Sequence, residues 1–176
     1  MKERIETMIS AEKIGERLDE MAKQIEDEFQ GEPVELICVL KGSIVTLVEL
    51  AKRLKMPVTM NFMDVSSYGN GTENSGVIKI NMDLDADIEG KNVLLVEDII
   101  DSGRTLSRLR GLLLKRNPKK FKILTLLDKP DRRVAEVPVD YVGFTIPDAF
   151  VVGYGLDYAQ KYRNLDFVGI LHFDEE

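Results

Sequence analysis

A chain of 176 residues with 44% hydrophobic and 31% charged side chains has the size and composition of one folded globular domain, which excludes a disordered or low-complexity protein. Its net charge of −7 excludes a general attraction to nucleic acid or anionic membrane, so any bound anion must be held by a local cluster of donors or by a metal. The single cysteine, Cys38, excludes an intrachain disulfide, and its place in the apolar run Leu36-Ile37-Cys38-Val39-Leu40 predicts a buried thiol in a reducing, cytoplasmic setting. No apolar stretch approaches the roughly 18 residues of a membrane-spanning helix, and the opening MKERIETMIS has no apolar signal core, so a soluble, unexported protein is expected.

Ile14, Leu18, Met21, Ile25 and Phe29 recur at steps of three and four, which predicts an amphipathic helix over Ser10–Phe29 with Ser10 as its N-cap. Val34–Leu40 reads as a mostly buried strand, and Lys41-Gly42-Ser43 turns from it into a helical pattern that runs to Leu54. Pro57 opens a second extended segment to Val65. The tract SSYGNGTENSG, residues 66–76, has no apolar anchor except Tyr68 and reads as a mobile loop with hinge freedom at Gly69, Gly71 and Gly76. Residues 76–84 alternate apolar and polar side chains, as an antiparallel partner of the segment before the loop would. Val93–Val96 is apolar on both faces, as a central parallel strand is, and it is expected to end at the acids that follow. Leu106, Leu109, Leu112 and Leu113 predict a helix that stops before Asn117-Pro118. Phe121–Leu127, Tyr141–Ile146 and Phe150–Tyr154 complete the extended segments. Strands alternating with helices imply a doubly wound α/β domain with its ligand site beyond the carboxyl ends of the strands. There is no internal repeat or linker.

Chemistry concentrates in VLLVEDIIDSGRTL, residues 93–106. A buried strand delivers Glu97, Asp98 and Asp101, and the turn Ser102-Gly103 then enters a helix through Arg104 and Thr105. A helix N-terminus with hydroxyls and free N–H groups favours a phosphate, while adjacent carboxylates would repel it unless they face sugar hydroxyls or hydrated Mg²⁺. The combination points to a phosphorylated sugar carrying a metal.

This stretch closely resembles the signature with which type I phosphoribosyltransferases bind phosphoribosyl pyrophosphate (PRPP). The resemblance implies that Glu97 and Asp98 contact the ribose hydroxyls and Mg²⁺, that Asp101 to Thr105 enclose the 5′-phosphate, and that Asp101 is the general base near N7 of a purine. Further matches run over residues 8–172 and point to the short bacterial form of the hypoxanthine-guanine branch. Leu40-Lys41-Gly42-Ser43 is similar to the family's pyrophosphate loop, which often carries a cis peptide, here Leu40-Lys41. Ser67-Tyr68-Gly69 is similar to its catalytic lid. Leu126-Leu127-Asp128-Lys129-Pro130 matches the strand end whose lysine donates to O6 of the base; an ammonium has donors only, so a 6-oxo group is accepted and a 6-amino group disfavoured. In the segment Ile146–Tyr158, Phe150 would stack on the purine, Val151 would bind its edge through the backbone, and Asp157 would lie near the base edge and a second metal. Arg163 matches an arginine that contacts pyrophosphate. His172, the one histidine, lies outside every matched motif and reads as structural or surface.

The implied architecture is the type I phosphoribosyltransferase fold in a single domain, 1–176: a central, mostly parallel sheet flanked by helices, a small hood over the purine (about 146–165, with the termini) and a flexible antiparallel lid (about 66–76). The implied reaction is displacement of pyrophosphate from C1′ of PRPP by hypoxanthine or guanine, giving IMP or GMP, with Mg²⁺ as cofactor and a homodimer or homotetramer as the assembly. Recognition of O6 leaves a xanthine-preferring enzyme as the alternative within the class. A PRPP-sensing regulator that binds nucleic acid generally adds a basic surface or DNA-binding segment, which this acidic chain lacks. No G-x-x-x-x-G-K-[ST] loop occurs.

Overall fold

The computed structural model describes residues 2–67 and 78–174. Its first helix, α1 (Ala11–Phe29), follows the predicted stripe: Ile14, Leu18, Met21, Ala22, Ile25 and Phe29 are buried, and the Ser10 hydroxyl accepts from the Lys13 N–H at 3.3 Å. Each large side chain so buried contributes about 1.5–3 kcal/mol, so the stripe outweighs the cap, worth about 1 kcal/mol. The helix stops where Gln30 turns left-handed at φ 50° and Gly31 follows at φ 77°.

The main sheet has six strands in the order β4-β3-β2-β5-β6-β7, formed by β2 (Val34–Val39), β3 (Val58–Ser67), β4 (Ile78–Met82), β5 (Asn92–Ile100), β6 (Lys120–Asp128) and β7 (Tyr141–Thr145). Its interior pairs are parallel and only β4 runs antiparallel, as an edge strand beside β3. Helices α1 and α2 (Ser43–Ala51) cover one face; α3 (Arg104–Leu114) covers the other with Leu106, Leu109 and Leu113. Leu94 and Val96 of β5 pack toward α1 and α2, while Val93 and Leu95 pack toward α3, so the strand is apolar on both sides. Cys38 lies in this core, and burial pushes its thiol up to about 11.

A second, three-stranded sheet stands apart from the first, in the order β1-β9-β8, from β1 (Lys2–Ile9), β9 (Val168–Asp174) and β8 (Val151–Val152). Here the structure departs from the sequence reading. β1 and β9 pair antiparallel from Lys2↔Asp174 to Ile9↔Val168, and neither strand was expected. The segment Phe150–Tyr154 keeps only two strand residues, because Gly153 at φ 94° and Tyr154 at φ 50° leave the extended region. Helix α2 ends at Ala51 and not at Leu54. Strand β5 runs through Glu97 and Asp98 to Ile100, its pairing with β6 continuing as Glu97↔Thr125 and Ile99↔Leu127; the acids are carried on the strand itself. No helix among the described residues is long and apolar enough to cross a membrane.

Candidate active site

The turn after β5 is held open by its neighbours. Gly103 adopts φ 78°, and a Cβ there would meet the Ala135 carbonyl oxygen and lie 2.9 Å from Cδ of Arg133. The N–H groups of Val134 and Ala135 donate to the Ser102 carbonyl at 3.0 and 3.1 Å. Arg133 pairs with Asp128 at the end of β6, and its Nε donates to the Asp101 carbonyl at 3.1 Å. Helix α3 therefore begins on a braced loop. Its N-cap, Gly103, gives no side-chain bond, and Ser102 Oγ takes only the Arg104 N–H, at 3.4 Å. The remaining first-turn N–H groups are donors without intrahelical partners, at the positive end of the helix dipole. They border a cleft of about 220 Å³ lined by Glu97, Asp101, Ser102, Gly103 and Thr105, with Val39 and Val65 across from them.

Glu97 and Asp98 leave β5 in different directions. Glu97 lines this cleft, whereas Asp98 turns toward the other side, against Gly42. A Cβ on Gly42 would overlap the Asp98 carboxylate and lie 3.1 Å from the Gly155 carbonyl oxygen; a Cβ on Gly155 would overlap the Gly42 carbonyl. Three distant segments thus meet at contact distance through two glycines. Burial, and then the charge of Asp98, push the Glu97 carboxyl well above the usual carboxylate range. Burial is also the main cause that raises Asp98; Asp157 adds to it, while the Ile99 N–H, donating at 2.8 Å, and the Arg163 charge oppose it. Two carboxyls that resist ionisation in the free protein favour a cation arriving with a ligand.

Beyond Gly42 lie two cations and an acid. The Leu40-Lys41 peptide is cis. Arg163 donates through Nη1 to the Gly155 carbonyl at 2.7 Å, and its Nη2 forms an ion pair with Asp157 Oδ1 at 2.8 Å. The amide oxygen of Gln160 accepts from Arg163 Nη2 at 3.3 Å and from Lys41 Nζ at 3.5 Å, so one uncharged acceptor joins both cations. Gln160 is itself held by its N–H, which donates to Asp157 Oδ2 at 2.8 Å.

On the other flank, Lys129 is only 8% exposed, and its N–H donates to the Ile100 carbonyl at 3.0 Å, next to Asp101. Phe150 stands 50% exposed, its ring edge-on to Tyr158 at 5.8 Å between centroids, and Tyr158 is edge-on to Phe173 at 5.2 Å. Val151 is buried and paired with Ile170 of β9. A half-bare aromatic ring can stack on a flat ligand ring, and a buried ammonium can donate to an acceptor on one.

The chain matches the model of the phosphoribosyl transferase domain over residues 7–159. It is 50% identical to the hypoxanthine-guanine phosphoribosyltransferase of Bacillus subtilis over 97% of this chain and 96% of that one. The chain belongs to the phosphoribosyl transferase family. It is also 51% identical, over 93% of its length, to the bifunctional protein TilS/HprT of Listeria monocytogenes, of whose length it spans 25%. Among solved structures, a hypoxanthine-guanine phosphoribosyltransferase from Bacillus anthracis superposes with a TM-score of 0.91 at 46% identity, covering 98% of this chain and 100% of that one. The hypoxanthine phosphoribosyltransferase of Trypanosoma cruzi, solved with its product IMP, superposes with a TM-score of 0.88 at 40% identity, covering 94% and 93%. The α/β fold with its mixed central sheet is the fold of these transferases.

Toward the carboxyl ends of the strands, the structure brings together Glu97, Asp101, Ser102, Gly103 and Thr105 in one cleft, and Gly42, Asp98, Asp157 and Arg163, with Lys41 joined through Gln160, in an adjoining cluster; Lys129 follows β6, and Phe150 and Val151 lie at the start of β8. Ser43 is buried, its hydroxyl bonded to the Val39 carbonyl, so in this state it braces the loop. Arg104 is exposed on the first turn of α3. Ser67 closes β3; Tyr68 and the rest of the expected lid lie outside the described residues. Glu97, Asp98 and Asp157 do not converge: among the described residues no group of three metal-ligating side chains is gathered tightly enough to hold an ion. His172 lies on β9, the middle strand of the second sheet, with Nε2 3.1 Å from Glu6 Oε2. Sequence reasoning missed Gln160, Arg132, Arg133 and Asp148, because each acts through a contact with a remote or turned segment that no local pattern announces.

Proposed function

We propose that this chain transfers the 5-phosphoribosyl group from PRPP to hypoxanthine or guanine, releasing pyrophosphate and forming IMP or GMP, as a purine-salvage enzyme of the cytoplasm. The observation that carries the reading is the turn Asp101–Thr105: a phosphate-sized set of unpaired donors at a helix N-terminus, beside two carboxyls, with Lys129 bonded to the same strand end. The 5′-phosphate takes the turn. The ribose lies across the end of β5, where Glu97 reaches it from one side and Asp98 from the other. Lys41 and Arg163 take the pyrophosphate, Phe150 stacks on the base, Val151 binds its edge through the backbone and Lys129 donates to O6.

In the reaction the bond from C1′ to the pyrophosphate oxygen breaks and a bond from C1′ to a purine nitrogen forms, with positive charge on the sugar ring in between. Asp101 accepts the proton the purine gives up at N7. Lys41 and Arg163 meet the negative charge that grows on the leaving group, from positions already set by Gln160 and the Gly155 carbonyl. Mg²⁺ fits the donor set, because Glu97, Asp98 and Asp157 are hard oxygen donors too scattered to enclose an ion alone; they would hold it with water and substrate oxygens, and it would neutralise the pyrophosphate.

Initial rates with hypoxanthine, guanine and xanthine at saturating Mg·PRPP test the proposal. Turnover of the first two is expected, abolished by excess EDTA and restored by Mg²⁺. Turnover of xanthine alone, or undiminished activity in metal-free buffer, would overturn it.

A further inference from the structure

A buried ammonium is stable only with a counter-charge close by, yet a counter-ion that takes up its N–H donors leaves none for a ligand. Among the described residues, the one carboxylate in ion-pair range of Lys129 is Asp148, and its Oδ1 lies 3.9 Å from Nζ, beyond hydrogen-bond distance. That same oxygen accepts from Nε of Arg132 at 2.8 Å. Asp148 is therefore engaged on its outer side and stands off on its inner side. Its place in the chain adds a second link: it lies two residues before Phe150, in the segment Ile146–Val151, whose Ile146 N–H donates to the Asp128 carbonyl at 2.9 Å. One carboxylate thus faces the proposed O6 donor, bonds the short helical turn Pro130–Arg132 and belongs to the segment that carries the stacking ring.

We propose that Asp148, restrained by Arg132, is a positioning residue for Lys129. It supplies the charge that accompanies the buried ammonium while standing too far away to consume its donors, so that they stay available to the 6-oxo group. The inference rests on the O6 role of Lys129 proposed above. Without Asp148 the ammonium loses its counter-ion and its fixed place; without Arg132 the carboxylate is free to close on Lys129 and compete with O6.

The test is a double-mutant cycle on the full chain with Lys129→Ala, Asp148→Asn and both together, reading the KM for hypoxanthine, kcat, and the Kd of Mg·PRPP by calorimetry. Asp148→Asn is expected to raise the KM about tenfold, as expected when a buried charge loses its partner, with kcat and the Kd of Mg·PRPP within about twofold. In the Lys129→Ala background the same substitution is expected to change nothing, because its effect runs through the lysine. Arg132→Met, at a side chain 55% exposed, is expected to raise the KM by about two- to threefold, and to lose that effect when combined with Asp148→Asn. An equal penalty for Asp148→Asn with and without Lys129, or no penalty at all while Lys129→Ala raises the KM, overturns the role of Asp148 and leaves that of Lys129 standing. An unchanged KM for Arg132→Met overturns the restraint. If Lys129→Ala leaves the KM unchanged, the O6 reading fails and this inference falls with it.

Discussion

Replacing Gly42 with alanine probes the tightest point of the site. The backbone there has φ −61° and ψ −43°, which any residue adopts, so conformation opposes nothing and lowered chain entropy in the unfolded state would even favour alanine by about 0.4–1 kcal/mol. Contact decides otherwise. The new methyl would overlap the Asp98 carboxylate and sit 3.1 Å from both Asp98 Cγ and the Gly155 carbonyl oxygen, and the second of these is backbone that cannot rotate away. Overpacking of this kind costs about 1–3 kcal/mol. After the entropic gain, a net loss of up to about 2.6 kcal/mol lowers Tm by up to about 10 °C in a domain of this size. On the proposed function the larger effect falls on the ligand: moving Asp98 or the Gly155 loop by an ångström would misplace groups assigned to the ribose and pyrophosphate, and misplacement on that scale costs about a hundredfold in rate.

Differential scanning fluorimetry measures the first effect, and initial rates over a titration of Mg·PRPP measure the second. The matched control is Gly111→Ala, in the middle of α3, where a Cβ meets nothing within 4 Å. It should gain about 0.5–1 kcal/mol from helix propensity and leave Mg·PRPP affinity unchanged. If Gly42→Ala matches Gly111→Ala in both measurements, the three segments are not in the contact described and the argument fails.

Two further outcomes follow from the geometry. Asp101→Asn keeps the backbone bond to Arg133 and removes only the proton acceptor, so kcat should fall by about 10²–10⁴-fold while the Kd of Mg·PRPP stays within a few-fold; near-normal kcat in a steady-state assay would take Asp101 out of the chemistry. Glu97→Gln tests the raised carboxyl. Because the folded state holds the Glu97 proton more tightly than the unfolded chain does, the wild type loses stability as pH rises above the ordinary carboxylate value, and keeps it below that value. In metal-free buffer the Tm advantage of Glu97→Gln should accordingly be larger at about pH 8 than at about pH 4.5; an advantage independent of pH would show that the Glu97 charge is not the cause.

The parts of the fold that could be read from the chain are those whose signal is local. Helix α1 declares itself by a stripe confined to one stretch, and β5 and β6 by runs apolar on both faces. Strands β1 and β9 could not be read that way. β1 carries Lys2, Glu3, Arg4 and Glu6 on an exposed, half-buried alternation, and its partner lies at the far end of the sequence, so its stability comes from a pairing no window contains. The site divides along the same line. The phosphate turn is contiguous, so Asp101 to Thr105 were legible as a unit. The meeting of Gly42, Asp98 and Gly155 and the bridge through Gln160 are assembled from three segments, and a glutamine in a loop has no pattern of its own. The separation of Glu97 and Asp98 toward two sides of β5 follows from strand geometry, but only once the strand is known to continue through them.

The charges around Lys41 and Arg163 also suit the polyanion assigned to them by the proposed function. Lys41 and Arg163 share the neutral amide of Gln160, and Arg163 is further balanced by Asp157 and the Gly155 carbonyl. None of these acceptors is a doubly ionised oxyanion. On the proposed function, pyrophosphate displaces the weakest of them first, since an ionised phosphate oxygen attracts the cations more strongly than an uncharged amide oxygen does. Once Arg163 turns to pyrophosphate, Asp157 loses its cation and becomes free to face water or Mg²⁺, so the negative charge that the ligand brings and the negative charge that it uncovers arise in the same place. A metal carried by the substrate would compensate both, and it would favour ionisation of Asp98, which lies against Gly42 within the field of Arg163.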